Sequence, residues 1–387
     1  MRRIRTASTR RLALIATVLV AVVAGAGIAQ AALRNDPKPA PKPLARAVHD
    51  ALAAPAVEGI TARIHFTNNL LPSGALPEDK ASPVLTGADG RLWLARDGRL
   101  RLELQSEGGD AQIVADGERF MVYDATSKTA YTGRLPERKA KPSDERRGAP
   151  SVAAVQNALD RLGQAWTLSG ARPTSTAGQP SYTVRIAPKD DGGLLGAAEL
   201  AWDAVRGVPL RAAIYAQGSA DPVLELEATD ISYGKINPGK IDATPPAGAK
   251  VTEIDPPTGV DAQGRPTHVS GADAVAKHLD FELAAPGKLA GLPRRSVRLV
   301  RFGDQTGAVS VYGQGLGQIL VFQHRAGTDS GTPSRVQLPT VNIDGATGTE
   351  LATALGTVVT FERGGIEYVV AGSVPPVAAE NAARGLS

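Results

Sequence analysis

Asp116-Gly117-Glu118-Arg119-Phe120-Met121-Val122-Tyr123-Asp124-Ala125-Thr126-Ser127-Lys128-Thr129-Ala130-Tyr131 is the stretch that decides what kind of chain this is. Asp-Gly opens a tight turn, because glycine reaches positive φ at little cost. The aromatic and branched residues that follow suit a strand, and Asp124 to Lys128 turn the chain back. Working outward, Asp97-Gly98 marks another tight turn, set between residues 91–95 and 99–104. After it Leu100, Leu102 and Leu104 alternate with Arg99, Arg101 and Glu103, so one face is apolar and the other charged. The pattern predicts a meander of antiparallel strands with one apolar face, a scaffold for binding rather than a reaction centre.

Gly98-Arg99-Leu100-Arg101-Leu102-Glu103, followed by the Asp116 to Asp124 strand, resembles the outer-membrane lipoprotein carrier family (LolA-like). The periplasmic sigma-factor regulator RseB shares that fold. Leu200-Ala201-Trp202-Asp203 to Pro209-Leu210-Arg211 is similar to the family's strand, Asp, turn, Pro-Leu-Arg hairpin. The resemblance covers about Leu44 to Asp255. It implies a mainly β fold with α (α+β), a half-open antiparallel β-barrel with lid helices. A smaller α+β domain follows it in the sequence.

In function it implies a non-catalytic cell-envelope protein that binds the acyl chain of a lipid or lipoprotein in the half-barrel cavity. The alternative is an RseB-like regulatory sensor binding a membrane partner, such as the outer segment of an anti-sigma factor. A third reading is an envelope structural protein whose concavity is filled by its own helix. If the apolar strand faces line a cavity, its wall includes Leu92, Leu94, Leu100, Leu102, Leu104, Phe120 and Val122, with Trp93, Met121 and Tyr123 on the opposite face. For Arg101 the resemblance implies a hydrogen bond to the lid that holds the empty form closed. Read from the residues alone, Arg101 equally pairs with Glu103, and both roles stay open.

The net charge of +4 suggests a nucleic-acid partner until its source is located. Residues 1–31 hold Arg2, Arg3, Arg5, Arg10 and Arg11 and no acid, and without them 38 basic residues face 39 acidic ones. The basicity belongs to a leader, so no nucleic-acid partner is expected. That leader has an arginine-rich start, an apolar run from Leu12 to Leu33 and a small-residue cleavage site at Ala29-Gln30-Ala31. As helix the run is about 33 Å long, enough to span a bilayer, so residues 1–33 read equally as a cleaved signal or a retained anchor in the cytoplasmic membrane. Either way the rest of the chain lies outside that membrane. There are no cysteines, hence neither disulfides nor a lipid-modified cysteine, and stability must come from core size.

Residues 34–43 form a proline-rich spacer. Leu44 to Ala54 reads as a helix, Ile60 to Asn68 as the first strand, and Leu70 to Pro83 as a loop with uncovered apolar residues. Ser151 caps a helix over Val152 to Leu162. Strands are expected at 180–187, 194–203, 210–217 and 223–233, closing a half-barrel domain at 44–255. Pro256 to Gly271 is the expected linker, and 272–387 a small domain of six short strands and a closing helix at 378–386. Thr132 to Pro150 is a polar loop.

Catalytic signatures are missing. The five histidines, His49, His65, His268, His278 and His324, are scattered without ligand spacing, and no G-x-S-x-G or S-x-x-K occurs. Gly313 to Gly317 has no helix after it and reads as a hairpin loop. Asn342-Ile343-Asp344-Gly345 lacks the later ligands of a calcium loop and reads as a strand-end turn. Neither enzyme activity, cofactor nor metal is expected.

Overall fold

The computed structural model describes residues 37–71, 82–135, 149–189, 193–254, 269–302, 305–327 and 338–386. The leader, most of the loop from Leu70 to Pro83, most of the polar loop and all but the end of the linker lie outside the described residues. Helix α1 (Leu44–Ala53) follows residues 37–43, whose Ala40 carbonyl accepts a 2.5 Å hydrogen bond from the Tyr182 hydroxyl. The described part of the spacer is therefore tied to the folded body.

Next come β1 (Gly59–Asn68), the single turn α2 (Pro83–Thr86), β2 (Ala88–Ala95), β3 (Leu100–Ser106), β4 (Gly109–Ala115), β5 (Arg119–Asp124) and β6 (Thr129–Arg134). Helix α3 (Val152–Leu162) leads to β7 (Trp166–Leu168), β8 (Arg172–Thr176), β9 (Gln179–Pro188), β10 (Leu195–Asp203), β11 (Pro209–Ala216), β12 (Leu224–Tyr233) and β13 (Lys250–Glu253). These strands make one sheet in the order β13-β6-β5-β4-β3-β2-β1-β12-β11-β10-β9-β7, with β8 also on β9. It curls into a half-barrel, the fold class that the family resemblance implies. Both Asp-Gly turns fall where the sequence places them, with Gly98 at φ 87° and Gly117 at φ 101°. The strand expected to stop before Thr132 runs on to Arg134, because Tyr131 and Thr132 still face Val122 and Met121 across the ladder. Ser151 does cap its helix, its hydroxyl accepting from the Ala154 amide at 3.2 Å.

Beyond the linker, α4 (Ala272–Ala276) precedes β14 (Lys288–Leu289), β15 (Leu292–Phe302), β16 (Gln305–Tyr312), β17 (Ile319–Arg325), β18 (Thr340–Ile343), β19 (Ala346–Thr353), β20 (Gly356–Arg363), β21 (Ile366–Gly372) and α5 (Pro376–Arg384). A second sheet takes the order β14-β15-β16-β17-β21-β20-β19-β18. Its core gathers Tyr312, Val321, Val359, Phe361, Tyr368 and Val370 with Ala379, Ala382, Ala383 and Leu386. Gly313 to Gly317 does join β16 to β17, and Gly345 turns at φ 90° with its amide on the Asn342 side chain.

The two sheets share no strand, yet they touch. The Leu194 amide donates to the Ser373 carbonyl and hydroxyl at 3.1 Å each, and the Ala354 amide to the Leu70 carbonyl at 2.9 Å.

Candidate functional site

Strand pleating and register place the seven expected wall residues on one face. Leu92 lies opposite Leu102, Leu102 opposite Ile113, and Ile113 opposite Val122. Leu94, Leu100, Ala115 and Phe120 form the neighbouring row. This leucine face therefore exists, but its members differ in burial. Leu102 and Leu104 are 1% and 2% exposed, packed with Ile60, Ile64, Phe66, Leu210 and Ile231. Leu92, Leu94, Leu100, Phe120 and Val122 stay half-buried. The three leucines of β3 share a face and not a fate, since the two toward Ser106 meet β1 side chains and Leu100 lies toward the sheet's turn.

Helices cover the face unevenly. Over β9 and β10, α1 seals Tyr182, Val184 and Trp202 beneath Ala47, Leu44 and Val48. Over β1, β3 and β4 the covering element among the described residues is the single turn α2, with Val84 against the core. Toward β5 the face stays a half-buried apolar strip. Leu94, Leu100, Phe120 and Val122 give it an apolar surface that can hold an apolar chain.

Arg101 stands on the other face. Its Nε donates to Glu103 Oε1 at 2.7 Å and its Nη2 to Gln112 at 3.3 Å, so the pair with Glu103 is present among the described residues. Trp93, Met121 and Tyr123 share this arginine face as expected. Residues 234–249 cross it from β12 to β13, burying Ile241 and Ala243 against Val114, Met121 and Ala130.

Further along the arginine face lies a charge network that the sequence reading missed. Glu199 accepts from Arg185 (3.1 Å), Arg172 (3.2 Å), Arg211 (2.9 Å) and the Tyr215 hydroxyl (3.0 Å). Arg211 also donates to Glu225 at 2.6 Å. Burial pushes the Glu199 carboxyl up, but the hydrogen bonds from Arg211, Arg185 and Tyr215 outweigh it and hold it below the usual carboxylate range. Glu227 has the Arg211 guanidinium only at 3.9 Å, and burial raises its carboxyl. The available signal was the alternation of Arg and Glu along β9 to β12. Among the described residues, no three His, Asp or Glu side chains gather as metal ligands.

Fold and face together define a half-open β-barrel with an unevenly covered apolar face. No family model matches the chain, and no curated protein does. Among solved structures it is similar to MucB in the MucA/MucB complex of Pseudomonas aeruginosa, at 16% identity and a TM-score of 0.42 over 87% of this chain and 95% of that one. A structure of MucB titled without a partner gives 17% identity and a TM-score of 0.39, covering 88% and 96%. A LolA-superfamily protein of Nitrosomonas europaea gives 9% and 0.21, covering 52% of this chain and 98% of that one. These are likenesses of fold, and what those proteins bind is a property of theirs.

Proposed function

We propose that this chain is a non-catalytic, extracytoplasmic cell-envelope protein that shelters an acyl chain of a lipid or lipoprotein against the half-buried part of its leucine face. The observation that carries the reading is the strip of Leu92, Leu94, Leu100, Phe120 and Val122, apolar and incompletely covered beside a sealed core. Each methylene buried there contributes about 0.8 kcal/mol, so one long chain supplies on the order of 10 kcal/mol before ordering costs. The export-type leader supports the compartment.

The test is an organic extract of the purified protein, analysed for lipid, alongside uptake of a fluorescent fatty acid. Leu100→Glu and Val122→Glu, at half-buried positions, are expected to lose uptake and stay folded. No extractable lipid and no uptake by the wild type would overturn the acyl reading.

The sensor reading, in which a membrane protein partner docks, has its own observation. On the edge strand β13 and just after it, Val251 and Ile254 are 54% and 43% exposed. Pairing with β6 occupies one side of β13, and an extended partner segment can add to the other.

A further inference from the structure

We propose that the arginine face carries a saccharide site in the pocket bounded by Trp93, Arg101, Glu103 and Lys240. The pocket is an open groove of about 260 Å³, the scale of a single sugar ring. It lies on the opposite side of the sheet from the leucine face, so it is independent of the acyl reading.

Its walls come from three elements. Trp93 on β2 faces Arg101 across the ladder, and Arg91 faces Glu103 one step on. Lys240 arrives from the crossing segment, its ammonium 5.7 Å from the Trp93 ring centre. Among the described residues, that ammonium makes no ion pair. Arg101 uses Nε and Nη2 on Glu103 and Gln112, and both contacts given to Glu103 fall on Oε1. Arg101 Nη1 and Lys240 can therefore still donate, and Glu103 Oε2 can still accept.

A partly exposed indole beside two cationic donors and one carboxylate matches one ligand chemistry. The C–H face of a pyranose packs on the ring, while neighbouring hydroxyls donate to Glu103 and accept from Arg101 and Lys240. A free anion fits worse. It would meet the Glu103 carboxylate, and the charge of Arg101 also acts on Asp242, whose carboxyl its bonds with Thr244 hold low.

Tryptophan fluorescence reads the site directly. Trp202 is 5% exposed, so the difference between wild type and Trp93→Phe isolates the pocket from Trp202 and Trp166. The probes are N-acetylglucosamine and its β-1,4-linked dimer, with inorganic phosphate as the competing chemistry. A saturable change with the sugars, absent in Trp93→Phe, is expected. Glu103→Gln should weaken sugar binding about tenfold, the usual loss for a hydrogen bond to a charged group. Lys240→Gln, at an exposed position, should weaken it too, with near-ultraviolet circular dichroism unchanged. No saturable response to either sugar at millimolar concentration overturns the proposal. So does phosphate binding that Glu103→Gln tightens.

Discussion

Asp203 shows how one carboxylate can organise a hairpin. It is fully buried, and it accepts from the Val205 and Arg206 amides at 2.7 and 2.9 Å and from the Tyr233 hydroxyl at 2.7 Å. It belongs to the Asp, turn, Pro-Leu-Arg motif, and Arg211 at the motif's end holds the Glu199 network. Replacing Asp203 by Ala leaves four donors short of a partner, the Arg206 guanidinium at 3.3 Å among them, and is expected to cost about 2–4 kcal/mol by urea unfolding; a loss below about 1 kcal/mol would mean that the turn stands without it. The acid side of the pH profile follows from the same groups. Burial raises Asp203, but its bonds with Tyr233, Arg206 and Val205 prevail and leave it lowered, as Glu199 is. A lowered carboxyl stabilises the fold above its unfolded value and loses that contribution as pH falls through its folded one. Stability should therefore drop below about pH 4, and Asp203→Asn should flatten that slope. An unchanged slope in melting curves from acid to neutral pH would refute the assignment.

At the scale of elements, the leucine face separates side chains that the period-two pattern treats alike. Leu102→Glu places an unpaired charge in a sealed core and should unfold the protein or cost at least about 3 kcal/mol. Leu104→Ala should cost about 2–4 kcal/mol through its cavity, measured by thermal or urea denaturation. Tolerance of both would mean that the core around β1 is not closed. Alternation read from residues placed most of the strands, both Asp-Gly turns and α3, because period and turn chemistry are local, but it passed over β4 between β3 and β5. It could not rank burial along β3, which depends on what β1 and α2 bring from far away. Arg101 illustrates the same limit, since its side of the strand and the Glu103 pairing were legible but the choice between that pairing and a bond to the lid was not. The short strands β7, β8 and β14 carry too few residues for a period. The parallel strand β13 follows two prolines, and only tertiary pairing with β6 makes it a strand. The β19 strand, rich in Thr and Ala, has no strong alternation.

For the whole molecule, the contacts between the two sheets matter most. Gly193 sits at φ 64° with its Cα hydrogen side against the Ser373 carbonyl, where any Cβ would overlap the oxygen. Gly193→Val should part Leu194 from Ser373 and speed amide exchange at Leu194, while the melting of either sheet alone stays near its wild-type value. Unchanged protection at Leu194 would show that the contact does not couple the sheets. The strand order has a consequence of a different kind, for the time course of synthesis. Ile60 pairs with Tyr233 and Phe66 with Leu226, so β1 sits mid-sheet beside a strand made long after it. Until β12 emerges, the first strand offers an open hydrogen-bonding edge, and closing so large a loop is slow. The same delay leaves any fragment ending before Leu224 with a bare apolar edge, prone to pair with its own copies.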